Sequence, residues 1–419
     1  MPKQPGPTRQ LDREHRLSPG KIPPQAATNT PTVALVGVHG HGTSHLGHIR
    51  SLEERGALRV AAVVDPRPLV DGAAPGTGQP PGLRLAMADP ERPIPWFPDL
   101  DALLDVERPD VVILCTPIDT HAPLAERAIR AGCDVLLEKP PTATLAELVR
   151  LVDVARELGR AVQVGFQTYG SHALDVVREA VADGEIGEVR GIGGVGTWVR
   201  SEDYWARAPW AGRRTLAGRP VVDGVTTNPL AHAVATALLL ADARTVDDIA
   251  EVELDLSRAN GIEADDTSSV RVTTRGGLRV ALGLTLCASA QTAPRIVVHG
   301  SAGHIVLHYT RDVVEVSGRR GERTVDCGRT DLLENLLAHR ADPHTPLLAP
   351  LSATGAFMRV LEAVRNAPAP RQIDPEHIDR VQDELGPRLV VRDVEHWCER
   401  VAQELRTFEE LEAPWTVRA

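Results

Sequence analysis

The chain has 419 residues, long enough for two domains, because single cores usually stop growing near about 250 residues. With 42% hydrophobic and 25% charged residues it has a globular composition, and no apolar run approaches the roughly 20 residues that span a bilayer. A net charge of -11 argues against nucleic acid or an anionic membrane surface as partner, since nothing neutralises phosphates by default.

Residues 1–30 are rich in proline and charge and lack the apolar core of a signal peptide, so a disordered tail is expected. The five cysteines (Cys115, Cys133, Cys287, Cys327 and Cys398) are far apart and never form a CxxC pair. Neither a disulfide framework nor a thiolate zinc site is indicated, and a reducing cytoplasm is the expected location.

The run Thr-Val-Ala-Leu-Val at 32–36 predicts a buried strand ending at Gly37. A glycine turn follows, then a helix with Leu46, Ile49 and Leu52 on one face, and a second strand from Leu58 to Val64 that ends at Asp65. Residues 70–95 hold many Gly and Pro and read as a surface excursion. Strands at 110–115 and 135–137 flank a helix from about Ala122 to Ala131. The next helix carries Leu145, Leu148, Val149, Val152 and Ala155 on its apolar face.

Alternating strands and helices predict a parallel sheet with right-handed crossovers. From Glu251 to about Val325 the pattern changes to successive strands, predicting a mixed or antiparallel sheet. Within it, Leu278, Val280, Leu282, Leu284 and Leu286 form one face, expected to pack on helices. The opposite face, Arg279, Ala281, Gly283, Thr285 and Cys287, is expected against a partner subunit. An amphipathic helix with Val394, Trp397, Val401, Leu405 and Phe408 closes the chain.

The turn Gly37-Val38-His39-Gly40-His41-Gly42 lies between a strand and a helix. Glycines there let the backbone approach a pyrophosphate, and N–H groups at the helix start favour its charge. The usual G-x-G-x-x-G spacing is altered, with His39 in the middle position and Gly40 after it. Asp65, at the end of the second strand, suits the adenosine ribose hydroxyls and would repel the extra phosphate of NADP. Arg67 counters that repulsion in part, so NAD is expected, with NADP as the alternative. His39, His41, His45 and His48 form a second constellation, with His41 and His45 one helical turn apart. No neighbouring carboxylate or cysteine completes a ligand set, so no metal is expected.

The segment Asp110-Val-Val-Ile-Leu-Cys-Thr116-Pro117, then His121, then Ala131-Gly132-Cys-Asp-Val-Leu-Leu-Glu138-Lys139-Pro140, resembles the Gfo/Idh/MocA family, the glucose-fructose oxidoreductase and inositol dehydrogenase group. Its marks are a T-P turn after the fourth strand, a nearby histidine, and E-K-P after the fifth. The runs Gln163-Val-Gly165-Phe-Gln167 and Gly184-Glu-Ile-Gly187-Glu-Val extend the likeness, which covers the chain from Thr32 onward.

The resemblance implies an α/β chain: an N-terminal doubly wound Rossmann sheet (31–158) and a second α+β domain on an open mixed sheet (159–419). It also implies a homo-oligomer, which we expect to form through that second sheet. Thr116, Pro117, His121, Glu138, Lys139 and Gln167 are expected about the cofactor. The family's Asp and His pair, four residues apart, falls on Asn228 and His232, so an amide stands where the aspartate is usual.

A lysine at the carboxyl end of a parallel strand projects into the crevice where ligands bind. Beside nicotinamide, Lys139 can exchange a proton with the substrate oxygen while carbon gives or takes hydride. His232 is expected as general acid/base or as the group polarising the substrate hydroxyl, and Asn228 as an orienting amide. Asp223 lies close enough in sequence to compensate for the lost carboxylate.

The chain is poor in aromatics (3%), yet Trp198, Tyr204, Trp205 and Trp210 cluster with Arg200, Arg207, Arg213 and Arg214 among or just after them. Flat rings suit the C–H face of a sugar or cyclitol, and guanidinium forks suit hydroxyl or carboxylate groups. Tyr204, Trp205, Arg207 and Trp210 are thus expected at the substrate. The expected activity is hydride transfer between NAD(P) and a hydroxyl or carbonyl of a sugar- or cyclitol-like molecule. The rivals are an NAD-dependent glycoside hydrolase of the same family and a non-catalytic NAD(H)- or metabolite-binding protein.

Overall fold

The computed structural model describes residues 30–67 and 94–416; the expected tail and nearly all of the Gly/Pro-rich excursion lie outside the described residues. The first six strands are β1 (Thr32–Val36), β2 (Arg59–Val64), β3 (Trp96–Phe97), β4 (Val111–Leu114), β5 (Asp134–Leu137) and β6 (Val162–Val164). They form one parallel sheet in the order β3-β2-β1-β4-β5-β6. The order reverses direction at β1 and β4, which opens a crevice at their carboxyl ends. Helices α1 (Gly42–Glu54), α2 (Leu100–Leu104), α3 (His121–Arg130) and α4 (Leu145–Glu157) connect the strands. Every residue of β4 and β5 is buried, as expected for parallel strands covered on both faces.

Leu46, Ile49 and Leu52 of α1 are buried as their spacing predicts. In α4 the face is rotated. Leu148, Leu151, Val154 and Ala155 are buried, while Val149 is exposed. The helix lies between α3 and the later helix at 355–366, a second contact that local periodicity does not report.

The second sheet has nine strands in the order β16-β15-β14-β13-β7-β12-β11-β10-β17. Its members are β7 (Val189–Thr197), β10 (Ile249–Arg258), β11 (Thr267–Thr274), β12 (Arg279–Thr285), β13 (Arg295–Gly300), β14 (His304–His308), β15 (Val313–Gly318), β16 (Gly321–Asp326) and β17 (Arg371–Gln372). The remaining strands form two hairpins, β8 (Thr215–Leu216) with β9 (Arg219–Pro220) and β18 (Ile378–Asp383) with β19 (Gly386–Val391). The later helices are α5 (Ala173–Ala182), α6 (Glu202–Ala206), α7 (Ala231–Leu240), α8 (Leu332–Ala341), α9 (Gly355–Asn366) and α10 (Val394–Glu404).

The expected boundary at 158 cuts through the first sheet, because β6 pairs with β5 beyond it. The second half also returns to that sheet. Gln163 donates to Leu332 O (2.9 Å) and Asn335 Oδ1 (2.6 Å), Val164 N donates to Ala349 O (2.8 Å), and Arg340 of α8 pairs with Asp110 and Asp134.

The larger-residue face of β12 is buried under α7, as predicted. The opposite face carries a correction: around β7 and β12 it is covered by the chain's own α10. Strand β7 reads VRGIGGVGT, and a Cβ on Gly193 would come within 2.1 Å of Ala402 O. A Cβ on Gly283 of β12 would lie 2.5 Å from Cys398 Cα. These small positions let the helix backbone settle directly on the strands. Cys398, Val401 and Ala402 then join Phe408 and Trp415 in a core separate from the main one. The spacing of the last helix marks an apolar face, and the structure seats that face on the sheet surface expected for a partner subunit.

Gly283→Val is therefore expected to lower the unfolding free energy by about 1–3 kcal/mol, since the obstacle is backbone. Gly276→Ala, whose added Cβ would meet only Thr274 Oγ1 in ordinary contact at 3.9 Å, should stay within about 0.5 kcal/mol of wild type in the same urea titration.

Candidate active site

Val36, Leu114 and Leu137 are neighbours across β1, β4 and β5, so the turns after them stand side by side. The first is the glycine turn. Gly37 has φ +83°, and a Cβ there would lie 2.2 Å from Cys115 O; one on Gly42 would lie 2.0 Å from Gly37 O. Gly40 (φ +63°) faces open space. The backbone N–H groups of His39, Gly40 and His41 have no partner among the described residues, and no side chain caps α1. Consecutive free N–H groups at a helix start suit a pyrophosphate, so the residues present fit a dinucleotide.

Asp65 closes one side of this cradle. Its carboxylate is buried and accepts from Val38 N (3.2 Å), His39 Nδ1 (2.9 Å), Arg67 N (3.0 Å) and Arg67 Nε (3.2 Å). Burial works against its charge, but the His39 and Arg67 bonds outweigh it and hold the carboxyl below its ordinary value. The histidine in the middle glycine position thus ties Asp65, at the end of β2, to the glycine turn.

The second turn holds Thr116 and Pro117. Thr116 packs beside Gly37 and takes a hydrogen bond from Thr120 Oγ1 (2.7 Å); Pro117 starts a short 3-10 turn. His121 lies between the second and third turns. It is buried, with Nδ1 2.8 Å from Pro140 O and Nε2 2.8 Å from Thr116 O. Burial keeps the ring neutral, so one nitrogen donates to one of these carbonyls while the ring packs between the second and third turns.

The third turn is Glu138-Lys139-Pro140. The Glu138 carboxylate presses against Gly165, where a Cβ would come within 2.8 Å of Oε1, and its Oε2 accepts from Lys139 N (3.1 Å). His45 Nε2 lies 2.8 Å and His41 Nε2 3.6 Å from Oε1. Burial opposes the carboxylate, yet the two histidines hold its pKa well below the ordinary value. The same contact raises His41 above 6.5. The expectation that no carboxylate accompanies the histidines is therefore overturned: the sheet delivers one from 93 residues away. His48 is drawn off to Asp331 (3.1 Å).

Lys139 Nζ donates to Asn228 O (3.0 Å) and Asn228 Oδ1 (2.8 Å). Burial lowers its pKa, and the charges of Glu138 and Asp223 oppose that shift. Asn228 Nδ2 in turn donates to Asp223 Oδ1 (2.6 Å), and the buried Asp223 accepts from Arg207 Nη2 (2.9 Å) and Gly212 N (2.8 Å). A carboxylate is thus present, one amide removed from the lysine. The loop bearing Asn228 is pinned by buried Asp265, which accepts from Thr226 Oγ1 (3.0 Å) and Ser268 Oγ (2.9 Å). Gly224 is required there, because a Cβ would lie 1.8 Å from Asp265 Oδ1.

His232, in the first turn of α7, sits edge-on to Phe166 at 5.9 Å, and its Nδ1 is buried without a partner among the described residues. Burial, with the Lys139 charge second, pushes its pKa down to about 3. The ring is neutral at ordinary pH, which favours a hydrogen-bonding role over that of a cationic acid. Gln167 opens the 3-10 turn after β6, and its side chain has no hydrogen bond among the described residues.

The aromatic cluster divides. The Arg207 guanidinium lies 3.7 Å from the Tyr204 ring centre and 4.6 Å from that of Trp210, linking both rings to Asp223. Arg200 lies over Trp198 and Tyr204. Trp205 instead packs against Gly212, with its Nε1 buried and without a partner among the described residues. Arg213 pairs with Glu263, and Arg214 binds the carbonyls of Val364, Arg365, Ala367 and Pro368 at the end of α9.

One sequence signal stands out beside this geometry. Of 46 basic residues only three are lysine, and Lys139 is the single one beyond residue 21. Arginine keeps its proton, whereas a buried lysine can release one.

Residues 32–166 match the family model described as "Oxidoreductase family, NAD-binding Rossmann fold", and residues 174–306 match the GFO/IDH/MocA C-terminal domain. An inositol 2-dehydrogenase of Rhizobium meliloti (strain 1021) is 27% identical over 278 residues, 66% of this chain and 76% of that one. The dTDP-3,4-didehydro-2,6-dideoxy-alpha-D-glucose 3-reductase of Streptomyces violaceoruber is 44% identical over 92 residues, 22% of this chain and only 27% of its own length. Among solved structures, the WlbA dehydrogenase from Bordetella pertussis in complex with NADH and UDP-GlcNAcA matches with a TM-score of 0.63 at 20% identity, over 80% of this chain and 95% of that one.

If Glu138 is what raises His41, Glu138→Gln should return the His41 pKa toward 6.5. An NMR titration reads this directly, and an unmoved value would assign the shift to another charge.

Proposed function

Because this chain belongs to the Gfo/Idh/MocA oxidoreductase family, we propose that it moves a hydride between NAD and the carbinol carbon of a sugar- or cyclitol-like molecule. The observation that carries this reading is the Lys139 ammonium, placed at the carboxyl end of β5 and held on the two oxygens of Asn228. NAD, when bound, supplies the hydride acceptor or donor at its nicotinamide ring.

In the oxidising direction the neutral Lys139 Nζ takes the hydroxyl proton as the carbinol C–H leaves as hydride; in the reducing direction the ammonium returns it. Asn228 keeps Nζ aimed, and Asp223 holds the Asn228 amide so that Oδ1 faces the lysine. Neutral His232 offers a hydrogen bond to the same hydroxyl. Tyr204 and Trp210, joined through Arg207 to Asp223, form the wall for the C–H face of the ring. Glu138, Thr116 and the 37–42 turn frame the cofactor. Arg67 is paired with Asp65, which leaves no free cation for a 2′-phosphate beside Asp65 among the described residues and favours NAD over NADP.

The names of the relatives support a sugar or cyclitol hydroxyl as substrate, and those reported are dehydrogenases and a reductase. No observation favours glycoside hydrolysis. The carboxylate of Asp223 behind Asn228 supports a catalytic reading over a silent binding protein.

The test is reduction of NAD with a panel of cyclitols and free or nucleotide-linked sugars. Lys139→Met should lose about 10²–10⁴-fold in kcat; a variant with wild-type turnover would overturn the assignment. Oxidation needs the neutral amine, so kcat/KM should rise with pH to a plateau whose midpoint lies below 10.5.

Asp223 opposes the downward shift of Lys139, so Asp223→Asn should move that midpoint to still lower pH. Amine-reactive labelling followed by mass spectrometry gives the same pKa independently, since no other lysine lies beyond residue 21.

A further inference from the structure

We propose that His41, His45 and Glu138 form a binding site for one zinc-class divalent ion at the start of α1. The site shares His41 and Glu138 with the groups that frame the cofactor in the proposed function, but the inference needs neither cofactor nor substrate bound. Both imidazole Nε2 atoms converge on one carboxylate oxygen, at 3.6 and 2.8 Å, and the three ligand atoms lie within 4.8 Å of one another. Two histidines and a glutamate are a donor set that holds zinc with a fourth position open. Metal–ligand bonds of about 2.0–2.2 Å put tetrahedral ligands roughly 3.3–3.5 Å apart, so a small outward shift of His45 and closure of the histidine pair complete the cage.

The surroundings orient the set. Glu138 Oε2 is held by Lys139 N (3.1 Å) and the carboxylate rests on Gly165, which leaves Oε1 directed to the histidines. His41 and His45 are one turn apart, their rings edge-on at 5.1 Å. Their neighbours are already committed: His39 to Asp65 (2.9 Å) and His48 to Asp331 (3.1 Å), each a pair without a third ligand. Among the described residues, His41, His45 and Glu138 are the one such group of three. His41 is 54% exposed, which gives the ion an entry path and a solvent-facing fourth position. The nearby ammonium of Lys139 is engaged by the oxygens of Asn228.

The experiment uses the full chain, stripped with a chelator, freed of it and titrated with Zn²⁺ alone against a chromophoric competitor. Native mass spectrometry gives the stoichiometry. One ion per chain is expected at micromolar affinity or tighter, weakened by about tenfold or more in His41→Gln and in Glu138→Gln. His41→Gln alters a half-exposed side chain, and circular dichroism checks that it remains folded. Should either variant misfold, Co²⁺ added to the wild type should give the intense visible bands of a tetrahedral site. Absence of a stoichiometric ion, visible bands of an octahedral site, or an affinity unchanged in a folded His41→Gln protein would each overturn the proposal; the last would place the ion elsewhere among the 15 histidines.

Discussion

Three parallel strands end at one level, with Val36 beside Leu114 and Leu114 beside Leu137, and the arrangement of the site depends on that register. It brings residues 37–42, 115–121 and 138–140 into contact although they are spread over a hundred positions. A shift of one residue in β5 would turn Glu138 and Lys139 to opposite sides of the sheet from where they now lie. The register is secured by contacts between the turns themselves. His121 packs between the Thr116 and Pro140 carbonyls, and Gly37 admits Cys115 O at a distance no Cβ would allow.

Charge is distributed about this frame in linked pairs. Glu138 lies beneath the histidines of α1, Asp65 beneath His39 and Arg67, and Asp223 beneath Arg207 and Asn228. Lys139 sits between two of these carboxylates without direct side-chain contact to either. Its charge is supported at a distance while burial lowers its pKa, a combination suited to a group that must both hold and release a proton. An aspartate at position 228 would bind the ammonium directly and favour its charged form. The amide in its place passes the influence of Asp223 on in weaker form.

The last forty residues change the character of the second sheet. Glycines at 191, 193 and 283 meet Leu405, Ala402 and Cys398, and the face they clear is filled by α10 and by Phe408 and Trp415. Burial of each large apolar side chain contributes about 1.5–3 kcal/mol, so this covering is a substantial part of the fold. Any contact with a second copy must use a surface other than the central strands β7 and β12.

By itself the sequence determined the local elements and the chemistry-bearing turns. The β-branched runs specified buried strands, Gly37 to Gly42 specified a tight turn into a helix, and E-K-P placed one lysine at a strand's carboxyl end. Tertiary structure alone decided what those groups meet. That Asp223 stands behind Asn228, that Glu138 completes a triad with His41 and His45, and that α10 occupies a face expected for a partner all follow from packing between distant segments. Periodicity reports which face of an element is apolar, because burial repeats with the backbone; it carries no information about which distant element covers that face. The rotated face of α4 and the self-covered sheet are two consequences of that one physical limit.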